Sequence, residues 1–329
     1  MLDILPDASI QFLGNMDLFW LIAAAGGGFF GAVIGGNFAF GFTGVLILLG
    51  FGIAFATGSD VGFTYLAFGP VFGPHVAFAG AAAASAYAAK TTNALDDTGY
   101  GRDINTSLAG LGHPAILWVG ALFGMGGYIV ERLIQHIPWF GSHTDTVAAT
   151  VVVSGLTARA IFGRTKVFGW TSKLEGSNRW LEWQEKPSQY LTLGFLSGIF
   201  GAGASLMLVS YAQGAGLPEG AEEVILANAK TLPFAISAIA ILLLALGSTI
   251  GVTHHMTIIG GLAGVTFLPI VGNGLVALLL GGLFGAIAAC AGELFARIFY
   301  DHGDTHIDPP AWAIWPCTTL VMGLGAMLG

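Results

Sequence analysis

Residues 274–300 read GLVALLLGGLFGAIAACAGELFARIFY, with Glu293 and Arg297 as the only charges. At 1.5 Å per residue such a run is long enough to cross the hydrocarbon of a bilayer as one helix. It shows no alternation of apolar and polar residues, so a membrane β-barrel strand is excluded. Similar runs recur along the whole chain, at about 17–38, 39–57, 63–90, 107–136, 145–162, 189–211, 231–250, 252–271 and 309–328. The sequence predicts an all-α integral membrane protein of about ten transmembrane helices. Composition agrees, with 55% hydrophobic and 9% charged residues over 329 positions and a mean hydropathy of +0.78. A soluble domain carries about 25% charged residues.

Two spans are expected to be broken. Gly69-Pro70 and Gly73-Pro74 interrupt the third, and Gly110, Gly112 and Pro114 the start of the fourth, because proline removes a backbone donor and glycine tolerates turns. The 51 glycines suit close helix packing, which in lipid relies on small residues. Cys290 and Cys317 both lie in apolar runs and read as buried thiols packing as small hydrophobes. Trp170, Trp180, Trp183 and Tyr190 read as anchors at headgroup depth. Met1 to Asp17 has no basic stretch ahead of an apolar one, so a cleavable signal peptide is not expected.

Orientation follows from lysine and arginine. The segment 163–188 holds Arg164, Lys166, Lys173, Arg179 and Lys186, with Arg159 just before it. Placing it in the cytoplasm and counting spans puts Lys90, Arg102 and Arg297 on the same side. Nine of the 11 basic residues then lie inside, with Arg132 and Lys230 the exceptions. Both termini are expected outside, in a multi-pass plasma-membrane protein.

Landmarks recur in order. Gly28-Phe29-Phe30-Gly31-Ala32 resembles Gly198-Ile199-Phe200-Gly201-Ala202, offset by 170. His75 and Gly80 correspond to His255 and Gly260, offset by 180, and Leu122-Phe123-Gly124 to Leu283-Phe284-Gly285, offset by 161. Glu131 then matches Glu293, and His143-Thr144-Asp145 parallels His306-Ile307-Asp308. The changes of offset need insertions, and the polar segments 91–106 and 212–230 supply them. The expected organisation is a first repeat over 1–162, a cytoplasmic linker over 163–188 and a second repeat over 189–329. With five spans in each copy, the second must insert upside down. Inverted repeats are the architecture of many secondary transporters.

The candidate solute- or ion-binding residues are His75, Glu131, His254, His255 and Glu293. An intramembrane carboxylate costs at least ~2.5 kcal/mol and usually faces the bundle interior or water. Against this, Glu293 and Arg297 stand four apart and can simply pair on one helix face, and Glu131 adjoins Arg132. His75 follows the Gly-Pro breaks and His254-His255 begin the eighth span, where broken helices expose backbone groups and dipoles as ligands. The alternative is that the histidines merely satisfy those freed groups. The cluster Asp301 to Pro310 brings His302, Asp304, His306 and Asp308 together as weak metal ligands. Asp308 before Pro309-Pro310 also reads as a helix cap, and the cap is the favoured reading.

No Walker loop, HExxH, CxxC or lipase-type elbow occurs, and no basic patch suited to nucleic acid. The reading is a transporter or channel for a small solute or ion, with proton or cation coupling through Glu131 and Glu293. The alternatives are a membrane-embedded metal-dependent enzyme and a non-catalytic subunit of a larger complex. The expected partners are the lipid bilayer and a small solute or ion, with homo-oligomer formation left open and no cofactor assigned.

Overall fold

A computed structural model describes residues 17–91, 95, 101–171 and 180–329. Lys173 and Arg179, the N-terminal segment 1–16 and much of the polar insertion after residue 91 lie outside the described residues. Among the described residues eleven α-helices follow in chain order: α1 Leu18–Ile34, α2 Gly36–Thr57, α3 Ala77–Thr91, α4 Pro114–Gln135, α5 Thr146–Phe162, α6 Pro187–Gly214, α7 Ala221–Asn228, α8 Thr231–Ala245, α9 His254–Val271, α10 Gly274–Phe295 and α11 Pro309–Leu328. Among the described residues the extended pairing is a single bridge, Gly101 to Thr305.

Among the described residues six helices are long and apolar enough to cross a membrane: α2, α4, α6, α9, α10 with the π turn after it, and α11. The pair α7 and α8, bent by 57° at its break, adds a seventh if it is one span. Helices α1 and α5 are apolar but shorter, at 17 residues each, about 26 Å long. Large apolar side chains such as Ile22, Phe30, Leu122, Leu196, Leu275 and Leu283 point outward, as a lipid-facing surface requires. Cys317 is buried but Cys290 is exposed. The rotation of α10 turns that thiol outward, correcting the expectation that both are enclosed.

The broken spans occur where the Gly-Pro and Gly-rich sequences fall. A π turn, Gly62–Ala67, precedes an irregular stretch that ends at α3. A 3-10 turn, Leu108–Leu111, ends at Gly112, whose φ of +72° is left-handed, and α4 then starts on Pro114. One expected loop is in part a helix: the polar segment 212–230 contains α7. Glu222 and Glu223 sit in its first turn, where acids complement the helix dipole, and Ala221 and Ile225 are buried beneath it.

Packing is set by backbone contact at glycine. Helices α1, α3 and α4 form one tight knot. A methyl group added at Gly28 would sit 2.2 Å from the Gly120 carbonyl oxygen, and one at Gly31 would sit 2.0 Å from that of Ala77. One at Gly80 would meet the Gly28 Cα at 2.8 Å, and one at Gly124 the same atom at 2.8 Å. Helices α6, α9 and α10 form a second knot by corresponding contacts: Gly198 on Gly281 at 2.3 Å, Gly201 on Thr257 at 2.2 Å, Gly260 on the Gly198 Cα at 2.5 Å and Gly285 on the same atom at 2.6 Å. Each pair of contacts is related by the sequence offsets of 170, 180 and 161.

Candidate functional site: a cavity between two sets of helices

Helices α2, α3 and α5 face α8, α9 and α11 across a cavity of about 710 Å³. Its wall mixes apolar and polar groups. Phe40, Phe68, Phe78 and Phe234 supply aromatic surface, and Asn37, Asn105, Gln135, Asn228 and Thr231 supply hydrogen-bonding groups. Charged groups line it too: Arg102, Glu131, Arg132, Asp145, Lys230 and Asp308. Such groups are expensive within an apolar bundle unless they meet partners, water or a solute.

Glu131, at the end of α4, lines this cavity and is almost fully buried. It accepts hydrogen bonds from Thr146 Oγ1 at 2.8 Å and from Gln135, and its second oxygen lies 3.6 Å from Arg132 Nε. Beside it, Asp145 caps α5 by accepting from the Ala148 N–H at 2.7 Å. Glu293 takes a different role. It is buried but is not part of the cavity wall, and Arg297 pairs with it at 3.0 Å along the helix. The two glutamates therefore do not share the cavity.

His254 and His306 line the cavity; His75 and His255 do not. His254 lies between the Phe40 ring at 4.6 Å and the Phe234 ring at 5.9 Å. His306 holds Asp308 through Nε2 at 3.1 Å and lies against Phe78 and Tyr300. In each, Nδ1 is buried with no hydrogen-bond partner among the described residues. His75 is enclosed against α4, where Gly127 gives its carbonyl room. His255 is enclosed beside Gly292. These two binding candidates therefore stand outside this cavity, and the backbone explains why. Freed groups at the Gly-Pro break close on one another, with Gly73 N–H donating to Gly69 O at 3.0 Å and Val76 N–H to Gly73 O at 2.8 Å. The break therefore has little need of a histidine or a ligand.

The cluster Asp301 to Pro310 is a structural junction. Among the described residues no group of three His, Cys, Asp or Glu side chains is placed to hold a metal ion. His302 contacts the Lys166 carbonyl at 2.9 Å, and Asp308 caps α11 by accepting from Ala311 N–H at 2.7 Å. Asp304 accepts from Arg164 N–H and from Thr165 Oγ1, each at 2.6 Å. Arg159, completely buried, donates to the carbonyls of Thr305 at 2.7 Å and Phe299 at 3.2 Å and to Thr305 Oγ1. Arg102 donates to Tyr300 O and stacks over the Tyr300 ring. These bonds tie α5 and the segments at 101–105 and 163–171 to the 299–308 loop, gathering Lys90, Arg102, Arg159, Arg164, Lys166 and Arg297 at one end.

Trp170 is exposed as an anchor would be, but Trp180 is buried in the cavity wall, and Trp183 donates to Ile250 O at 2.6 Å. The Trp180 backbone N–H donates to Asp301 Oδ1 at 2.9 Å, which holds Trp180 at the cavity.

Burial opposes ionisation of Asp304, but hydrogen bonds from Thr165 and Arg164 and the Arg159 charge outweigh it and hold the carboxyl below its ordinary range. A depressed folded value gives stability that is complete above the unfolded value, about 3.9, and lost as pH falls through the folded one. Thermal unfolding followed from pH 6 to pH 3 is therefore expected to show a steeper loss in wild type than in Asp304→Asn. Parallel profiles would remove the charge from this junction.

Sequence reasoning missed Lys230, Asp145 and Arg159 as site or junction residues. Lys230 carried a signal, as one of two basic residues outside the basic end, and Asp145 carried another in its recurring cap position.

Fold and cavity together define an all-helical protein, with six helices among the described residues long and apolar enough to cross a membrane, and a polar-lined cavity between two sets of helices. The chain belongs to a family of unknown function, DUF7973, whose sequence profile matches it twice, over residues 10–175 and 169–329. No curated protein matches the chain, and no solved structure does.

Proposed function

We propose that the chain is a transporter or channel for a small solute or ion, working through the cavity between α2, α3, α5 and α8, α9, α11. The observation that carries this reading is the cavity itself, about 710 Å³ in volume, walled by both halves of the chain and lined with charged and hydrogen-bonding groups inside an apolar bundle. A packed scaffold has no use for so large a polar-lined void, since interiors are close-packed. Transport proceeds by rocking one set of helices against the other or through a pore between them.

The proposal includes ten spans arranged as two five-helix repeats of opposite orientation. The twofold family match and the corresponding glycine contacts of the two knots support the duplication. The gathering of basic side chains at one end supports a cytoplasmic location for that end, with both termini outside. Of the glutamates, the cavity favours Glu131 as the coupling group, because Glu131 lines it and Glu293 does not.

The test uses protein in which Cys290 and Cys317 are replaced and single cysteines are placed at Thr231, Asn105 and Lys173. With a charged, impermeant maleimide on intact cells and on inverted vesicles, Thr231→Cys and Asn105→Cys are expected to react from at least one face, and Lys173→Cys from the cytoplasmic face alone. Cavity cysteines unreactive from both faces would overturn the solute pathway. Labelling of Lys173→Cys on intact cells would overturn the orientation.

A further inference from the structure

The cavity wall carries a lysine and two carboxylates from different elements of the chain. Lys230 stands at the break between α7 and α8, and Asp145 at the start of α5, with Glu131 beside it. They do not meet: among the described residues Lys230 makes no ion pair within 4.0 Å and no hydrogen bond. Arg132, by contrast, is already engaged by Glu131 and Gln135.

Two further observations point to a ligand. Phe234 follows Lys230 by one helical turn, about 6 Å along the same face, and packs on Phe40 with ring centroids 5.7 Å apart. Below them His254, 5% exposed, offers the cavity wall an Nδ1 with no partner among the described residues. Unlike the unpartnered ring nitrogens of His75 and His255, this one lies on the cavity wall, where a solute or water can complete it.

We propose that the cavity binds a zwitterionic, amino-acid-like solute with an apolar side chain. Its carboxylate is held by Lys230, its ammonium by Asp145, and its side chain by Phe40 and Phe234. A monovalent cation or anion alone would leave one of the two charges unmet. The assignment rests on the reading of the cavity as a solute site and adds the ligand's chemistry to it.

Equilibrium binding to the purified full chain tests this with three probes of nearly one shape: L-phenylalanine, 3-phenylpropanoate, which lacks the ammonium, and phenethylamine, which lacks the carboxylate. L-phenylalanine is expected to bind, with each truncated probe at least about tenfold weaker, because each leaves one buried charge unpaired. Lys230→Gln and Asp145→Asn should each weaken L-phenylalanine by at least about tenfold. Lys230→Arg should retain binding, and asparagine keeps the α5 cap, so loss in Asp145→Asn is not loss of the helix. Monodisperse elution confirms folding of each variant. Absence of L-phenylalanine binding, phenethylamine binding as tightly, or affinity indifferent to Lys230→Gln would each overturn the assignment. Liposome uptake separates the two readings. Binding without uptake overturns transport and keeps the ligand class, whereas reactive cavity cysteines without L-phenylalanine binding overturn the ligand class and keep the pathway.

Discussion

Gly28→Val and Gly198→Val are each expected to abolish most of the folded, monodisperse protein. At both positions the first side-chain carbon would lie 2.2–2.3 Å from a carbonyl oxygen of the neighbouring helix. Backbone cannot move aside as a side-chain tip can, so α1 must part from α4, and α6 from α10. Overpacking costs about 1–3 kcal/mol where side chains can adjust, and the cost here should lie at or above the top of that range. Lipid offers no hydrophobic drive to hold the separated helices. Gly126→Val and Gly52→Val are the controls, since nothing lies within 4 Å of an added carbon at either position. Thermal unfolding in detergent should place both controls near wild type and both knot variants far below. A wild-type transition in Gly28→Val would mean that α1 and α4 do not meet through this glycine.

Arg159→Ala is expected to cost about 3–5 kcal/mol, the range for removing one partner of a buried charge network. The guanidinium is fully enclosed, satisfies the carbonyls of Thr305 and Phe299, and stands 3.8 Å from Asp304. Its removal strands those acceptors without water. Arg159→Lys should recover only part of the loss, because an ammonium cannot reproduce the planar fork that reaches several acceptors at once. Unfolding measured on the purified chain should rank wild type above Lys and Lys above Ala. A change below about 1 kcal/mol in Arg159→Ala would show the junction to be a surface contact, whose usual worth is 0–1 kcal/mol. The cavity should suffer with the junction, since Arg102 and Tyr300 line the one and belong to the other.

Much of the helical architecture was legible because the signals were local. An apolar run has a length, and a bilayer has a thickness. Gly69-Pro70 and Gly73-Pro74 break a helix wherever they stand, and the break lies where they fall. Asp308 before two prolines caps α11 for reasons confined to four residues. By contrast, α7 was hidden in a polar segment, because its few buried residues, Ala221 and Ile225, make too short an apolar pattern to separate from a loop.

The site was legible only in part. Glu131 and Glu293 carry nearly the same local sequence signal, yet one lines the cavity and the other pairs with Arg297. His254 and His255 are neighbours in the chain, and only the first reaches the cavity, since successive helical residues point about 100° apart.

Sequence alone determined that this chain is helical, that several of its helices can cross a membrane, where their breaks fall and which glycines are available for close packing. Each of these depends on residues near one another in the chain and on the solvent around them. Tertiary structure decided which helices the glycines join, and which charges share the cavity wall. Asp145 and Lys230 are separated by most of three helices and a linker, and nothing in the local chemistry of either names the other. Their meeting in one cavity wall arises from the packing of α5 and α8 within the bundle, which residues distant in the chain determine.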